Sequence, residues 1–278
     1  MKLAFGYNTN GFAHHRLEEA LAIIADLGCD GVALTLDVHH LDPFRASPRD
    51  VAKLRRRLER LNLRCVVETG ARFLLNPHRK HEPTLISPER EGRKLRLTFL
   101  ESAMEISREL GAEAVSFWSG VKQPSVSDPQ ARRWLEDGCR RLAEFAVKKR
   151  VVLAFEPEPG MFVQDMADYA RLRRSAGESL DLTLDVGHVF CTERRSFAKV
   201  WDQFAPLVRN VHIEDIRGRR HEHLAFGEGE IDFRPVLAAM KNGGYKGLVN
   251  VELSRDSHRA PEMARRAIEF LRGLEKKL

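Results

Sequence analysis

The sequence predicts one α/β domain, residues 1–278, built as a (β/α)8 barrel, and three observations carry that expectation. Short apolar, β-branched runs alternate with longer segments of helical period along the whole chain. Eight such runs occur, starting near Leu3, Gly31, Arg64, Ala114, Val151, Leu180, Arg209 and Gly247. Their apolar character is nearly continuous, as in parallel strands covered by helices, and eight is the number that closes such a sheet into a barrel. A doubly wound dinucleotide-binding sheet is the rival. It needs a Gly-x-Gly-x-x-Gly after the first strand, whereas Gly227-Glu228-Gly229 comes late and follows no strand directly.

Taken in order, the elements have local causes. Leu17, Ala20, Leu21, Ile24 and Leu27 form the apolar stripe of a first helix, with Glu18, Glu19 and Asp26 turned away. Gly28 and Gly111 close helices, because glycine reaches the left-handed cap without strain. Pro48, Pro88 and Pro129 follow Ser47, Ser87 and Asp128, so each pair predicts a cap residue and a proline at the first helical position. Gly227-Glu228-Gly229 with Asp232 predicts a turn and a helix cap. The stretch Ala71–Ser87 is rich in Pro, His, Arg and Asn and follows the third strand. It is therefore expected at the face where barrel active sites form, as a lid or substrate wall.

Composition narrows the function. Hydrophobic residues at 43% and charged residues at 31% describe a globular chain. No apolar run approaches the ~18–20 residues of a membrane span, and the N-terminus carries no secretory pattern. Cys29, Cys65, Cys139 and Cys191 stand far apart, which excludes a zinc-ribbon pattern and points to a reducing cytoplasm. The 46 Lys+Arg exceed the 40 Asp+Glu by six. These charges are dispersed, however: Arg55-Arg56-Arg57, Arg132-Arg133, Arg140-Arg141 and Arg265-Arg266 fall in helical patterns with acidic neighbours. Solvated helix faces account for them, so no specific nucleic-acid partner is expected.

In a parallel barrel every strand ends on the same rim, so the chemistry is sought at strand ends. The fifth strand ends in Phe155-Glu156-Pro157-Glu158, the sixth in Leu184-Asp185-Val186-Gly187-His188, the seventh in Val211-His212-Ile213-Glu214-Asp215 and the eighth in Val251-Glu252. Glu156, Asp185, His212 and Glu252 would thus meet at one place. Three carboxylates buried together repel one another, and a divalent cation resolves that repulsion while leaving positions for a substrate. With no Cys among the donors, Mn, Mg or Co is favoured over Zn for this single ion. Glu68, at the end of the third strand, either enters the same pocket or caps the next helix. His14, His15, His39 and His40 follow the first two strands and could reach the pocket, but exposed loops are their commoner place.

The sequence resembles the xylose isomerase-like TIM-barrel superfamily of sugar isomerases and epimerases, which also holds dehydratase and endonuclease branches. The resemblance covers the whole chain and is most specific from Leu153 to Ser254. Leu153-Ala154-Phe155-Glu156-Pro157 resembles the strand with the family's metal-ligand glutamate, and Asp185-Val186-Gly187-His188 its Asp-x-x-His. His212-Ile213-Glu214-Asp215 followed by His223, Gly227-Glu228-Gly229 and Asp232 resembles the seventh-strand signature, and Val251-Glu252 the last ligand. The resemblance implies that Glu156, Asp185, His212 and Glu252 bind the metal and that Glu156 and Glu252 exchange protons on either side of the reacting carbon. It implies further that His188 binds substrate and hydrogen-bonds a developing oxyanion. Arg217 resembles a substrate-side arginine, although it stands five residues beyond His212 where epimerases have six. Trp118 would stack on a sugar face. Glu158 stands where relatives often carry histidine, so its substrate contacts should differ.

The function expected is a metal-dependent isomerase or epimerase of a small sugar or polyol derivative, which needs no protein partner beyond a compatible homo-oligomer. The alternative is a dehydratase or lyase sharing the same proton abstraction. A metal-dependent endonuclease-like phosphodiesterase is less favoured, since that branch needs histidines at the ends of the third and fourth strands. Here those ends read Val67-Glu68-Thr69-Gly70 and Phe117-Trp118-Ser119-Gly120, and His221 and His223 match only part of the remaining cluster. A non-enzymatic binding protein on the same barrel stays open, because function belongs to the site and not the fold.

Overall fold

The computed structural model describes residues 2–278. Eight parallel strands close into a barrel: β1 (Ala4–Asn8), β2 (Gly31–Thr35), β3 (Arg64–Glu68), β4 (Val115–Phe117), β5 (Leu153–Phe155), β6 (Asp181–Asp185), β7 (Val208–Ile213) and β10 (Leu248–Val251). Between β7 and β10 the chain adds an antiparallel hairpin, β8 (Asp215–Arg217) with β9 (Arg220–Leu224), which the apolar periodicity did not announce. The barrel is sealed where β1 pairs with β10, Ala4 opposite Leu248 and Tyr7 opposite Val251.

The helices pack around this barrel. Leu17, Ala20, Leu21 and Ile24 of α1 (Leu17–Asp26) are buried, and Leu27 just beyond is partly buried, as the stripe predicts. In α2 (Pro48–Leu61) Ser47 accepts a hydrogen bond from the Asp50 amide and Pro48 opens the helix, an arrangement that contributes about 1 kcal/mol. The cap of α4 (Asp128–Lys149) is Ser127, one residue before the expected Asp128, and Gln130 completes the capping box. The third proline signal fails. Helix α3 (Arg90–Leu110) starts two residues after Pro88, because the Ser87 hydroxyl is committed to the preceding loop: it accepts from the Thr84 amide at 2.7 Å and donates to Glu82 at 2.7 Å.

The remaining helices are α5 (Met166–Ala176), α6 (Val186–Thr192), α7 (Phe197–Phe204), α8 (Phe233–Asn242) and α9 (Ala260–Glu275). Asp232 caps α8, accepting from the Arg234 amide. The basic clusters lie on solvated faces beside acids, for example Arg55 with Glu59 at 2.9 Å and Arg141 with Glu101 at 2.8 Å. All four cysteines are free thiols, and no described helix is long and apolar enough to cross a membrane.

Inside the barrel a tight packing requirement falls on Gly6. A β-carbon there would stand 2.9 Å from the Gly31 carbonyl oxygen and 2.1 Å from Asn250 Oδ1, so only glycine fits. Above it a fully buried polar chain crosses the barrel. Asn250 donates to Asn210 Oδ1 at 2.9 Å, and Asn210 donates to Glu68 Oε1 at 2.9 Å. Asn210 and His212 are two residues apart on β7, so both point inward, and the same spacing relates Asn250 to Glu252.

Candidate metal centre and active-site cavity

At the C-terminal rim, Glu156, Asp185, His212 and Glu252 each present a ligand atom, and these atoms all lie within 4.8 Å of one another. His212 stands at the middle. Its Nδ1 is 3.0 Å from Glu156 Oε1, 3.1 Å from Glu252 Oε2 and 4.0 Å from Asp185 Oδ2. The opposite ring nitrogen, Nε2, lies 2.9 Å from Glu68 Oε1 and donates there. Glu68 therefore resolves to the pocket interior and not to a helix cap: it fixes the ring so that Nδ1 faces the carboxylates, as outer partners of metal-binding histidines do.

Asp185 does two things at once. Its Oδ1 accepts from the His188 amide at 2.7 Å and caps α6. Its Oδ2 is buried and has no hydrogen-bond partner among the described residues. A lone carboxylate oxygen buried beside two more carboxylates is costly unless a cation joins it. The donor set of three carboxylates and one imidazole suits a divalent ion with oxygen and nitrogen preference, so the residues present fit the expected metal.

The electrostatics follow from this crowding. Burial alone would depress the His212 imidazole, but the carboxylates of Glu68, Glu156 and Glu252 hold its pKa well above the ordinary value. Burial would raise Glu252, yet His212, His223 and a hydrogen bond from Asn10 hold it well below the usual carboxylate range. Glu158 is pushed well above that range, by burial first and by Glu156 next.

The ligand cluster forms the base of a cavity of about 500 Å³. Glu158, His188 and Trp118 line it, as expected from their positions. Trp118 is held on both sides: the Arg96 guanidinium stacks 4.3 Å from its ring centre, and the His81 ring meets it edge-on at 5.4 Å. His188 is more constrained than the sequence implies. Its Nδ1 donates to the Pro157 carbonyl at 3.0 Å, which leaves Nε2 to accept from His221 Nε2, also at 3.0 Å. The one ring proton this arrangement does not give to the backbone is that of His221 Nε2.

Arg217 does not belong to the cavity. It lies on the outer side of the β8–β9 hairpin, exposed, with its guanidinium donating to the Glu228 carbonyl. The hairpin instead brings His221 and His223 over the cluster. His223 Nδ1 sits 3.5 Å from Glu214 Oε1, and although burial opposes it, the Glu214 carboxylate raises the His223 pKa to about 10. Asp215 plays a structural part, accepting from the amides of Gly227, Gly229 and Ile231 at 2.9, 3.0 and 3.1 Å, and so knots the Gly-x-Gly turn.

The excursion after β3 does form a wall, contributing Arg72, Lys80 and His81 beside Gly70, which precedes it. Asn10, from the loop after β1, was not singled out by the sequence and donates to Glu252 Oε1 at 2.6 Å. His14, His15, His39 and His40 lie outside this cavity; His14 is hydrogen-bonded to Ser257 at 2.9 Å. A separate cavity of about 560 Å³ between α1 and α2 includes His40 but holds no comparable ligand cluster.

Residues 21–274 match the family described as xylose isomerase-like TIM barrel, and the chain belongs to that family. Among relatives, an inosose dehydratase of Serratia proteamaculans is 27% identical over 154 residues, 49% of this chain and 51% of that protein. A 3-dehydroshikimate dehydratase of Pseudomonas aeruginosa is 28% identical over 274 residues, 93% of this chain and 39% of that protein. The chain thus spans about half the length, or less, of these curated relatives. Among solved structures, the 3-keto-D-glucoside 4-epimerase of E. coli superposes with a TM-score of 0.78 at 19% identity, covering 98% of this chain and 100% of that one. At that identity the likeness is one of fold.

Proposed function

We infer that this chain is a divalent-metal-dependent enzyme that removes a proton beside the carbonyl of a small polyhydroxy ketone, and that it acts as an isomerase or epimerase. The observation that carries this reading is the juxtaposition of Glu156 and Glu252 about His212 Nδ1, with Asp185 completing the set, at the base of a cavity large enough for a sugar-sized molecule. The four ligand residues would hold one cation, and that cation would polarise the carbonyl and acidify the neighbouring C–H.

The chain's own groups do the rest. Glu252, oriented by Asn10, takes the proton from one face of the carbon, and Glu156 delivers one to the other face. The His221 Nε2–H, released from His188 Nε2, offers a hydrogen bond to the oxygen as it gains negative charge. Trp118 provides an apolar wall for the C–H face of the substrate.

A second reading, dehydration, shares the abstraction step and differs in expelling a neighbouring hydroxyl. It is favoured by the dehydratase names of the relatives matched in sequence. The endonuclease reading lacks its histidines at β3 and β4, which contribute Glu68 and Trp118. Beside the main cluster, however, His188, Glu214 and His221 also bring ligand-type atoms together, as do Glu214, His223 and Glu252.

Incubating the metal-loaded protein with a panel of ketoses in deuterated water tests the reading by NMR. Deuterium at the carbon next to the carbonyl with unchanged composition supports the isomerase or epimerase. Uptake with loss of water moves the assignment to the dehydratase. No uptake with any compound, at full metal loading, removes the enzyme reading.

A further inference from the structure

The active-site cavity is divided in charge. Its base holds Glu68, Glu156, Glu158 and Glu252, whereas Arg72, Lys80 and Arg255 line its wall. Arg72 is already paired with Asp37. Lys80 and Arg255 are not: among the described residues neither has a carboxylate oxygen within 4.0 Å. They come from opposite ends of the chain, Lys80 from the excursion after β3 and Arg255 from the turn after β10, yet face one cavity.

A third cation stands one aromatic ring behind the wall. Arg96 is 1% exposed, stacks under Trp118, donates through Nη2 to the Thr69 carbonyl at 3.3 Å, and leaves Nη1 with no partner. Burial lowers its pKa to about 9, so it remains charged at neutral pH. A buried cation without a paired carboxylate is expensive to keep. A neutral sugar gives no return for it, nor for two free cations at the mouth.

We propose that the substrate is an oxo-polyol bearing an anionic group, a carboxylate or a phosphate, received by Lys80 and Arg255 while its carbonyl end lies over Glu156 and Glu252. The proposal rests on the function inferred above and names its substrate class. The polarity also sets direction: the carboxylates at the base repel the anionic end, so the carbonyl enters first. Arg96 adds a fixed positive field through Trp118 without touching the ligand.

The test uses the metal-loaded full chain and the deuterium-exchange assay with three arms: neutral ketoses, ketose phosphates and keto-sugar acids. Exchange should be at least about tenfold more efficient in one acidic arm, which also tells phosphate from carboxylate. In that arm Lys80→Ala and Arg255→Ala should each raise KM by about tenfold, more than they lower kcat, as loss of one charge-assisted contact predicts. Both residues are exposed, so the melting temperature should stay that of the parent protein. KM should also rise with salt. Equal or better exchange with neutral ketoses, or an unchanged KM in both variants, overturns the anionic substrate and leaves the proton-abstraction reading standing. Silence in all three arms overturns both.

Discussion

The side-chain amide of Asn10 donates a 2.6 Å hydrogen bond to Oε1 of Glu252, joining the loop after the first strand to the end of the last. One carboxylate oxygen is thereby held, and the other faces His212 Nδ1 at 3.1 Å. A general base acts only when its oxygen is aimed at the proton it takes. Asn10→Ala should therefore slow exchange by about tenfold, roughly 1.4 kcal/mol of barrier, with a near-parental melting temperature. An unaltered rate in the folded variant would show that Glu252 needs no such support.

His212→Ala should abolish tight binding of Mn or Co, measured by titration calorimetry, while circular dichroism still reports a folded barrel. The site is at the rim and the apolar core lies elsewhere. Removing the imidazole takes away the one nitrogen donor and leaves three carboxylates to repel one another. Retained stoichiometry and affinity would take His212 out of the ligand set.

Much of this site was legible because barrel strands end where side chains matter. The strand starts fall within about two residues of the expected positions, since β-branched runs bounded by polar turns leave little freedom. Glu156, Asp185, His212 and Glu252 converge because their strands are neighbours in the barrel. What the sequence concealed depends on loops. Asn10 is one asparagine among several, and only the closure of β1 on β10 brings it to Glu252. The β8–β9 hairpin carries Arg-His-Glu-His-Leu, without the apolar alternation that marks a strand. It directs His221 inward and Arg217 outward, a choice made by the turn. Ser87-Pro88 misled because a serine hydroxyl serves a loop amide as well as it serves a helix.

Gly187, at the start of α6, is packed against Glu214. An added β-carbon would stand 2.4 Å from Glu214 Oε1 and 3.0 Å from Ile216 Cγ1. Glu214 is itself fully buried, so its carboxylate has little room to yield. Gly187→Ala should cost about 1–3 kcal/mol by overpacking, seen as a lowered melting temperature. Because His188 is next in sequence, activity should fall as well. A variant as stable as the parent would mean that Glu214 swings aside freely.

The wall of the cavity is pinned where Arg72 pairs with the buried carboxylate of Asp37. Burial alone would raise the Asp37 pKa, but the charge and hydrogen bond of Arg72 outweigh it and the net direction is down. A depressed folded value means that the pair contributes stability above the ordinary aspartate pKa of about 3.9 and loses it as the pH falls through the folded value. Asp37→Asn should therefore cost about 2 kcal/mol near neutrality, a difference that shrinks below about pH 4. Thermal melts across pH check this, and a gap that persists undiminished at pH 3 would assign the loss to packing.

Glu156 and Glu252 lie on either side of His212 Nδ1, and the inferred chemistry gives them unequal duties. Glu252 has the oriented oxygen and is expected to make the first abstraction. Glu252→Gln preserves one oxygen toward the cluster, puts an NH2 in place of the oxygen that accepts from Asn10, and has no useful basicity. Exchange at the carbon beside the carbonyl should fall by roughly 10²–10⁴-fold, the usual contribution of a general base. Glu156→Gln leaves that abstraction possible and removes the group that serves the opposite face. It should therefore block conversion of substrate to product more than it slows exchange, a separation that following deuterium and product together by NMR would reveal. If both variants lose exchange equally while keeping their metal, the two carboxylates act as ligands and the base must be sought among His188, His221 and Glu158. If the order is reversed, with Glu156→Gln abolishing exchange and Glu252→Gln sparing it, the substrate enters with its other face toward Glu252. The Asn10 hydrogen bond would then position the second proton donor.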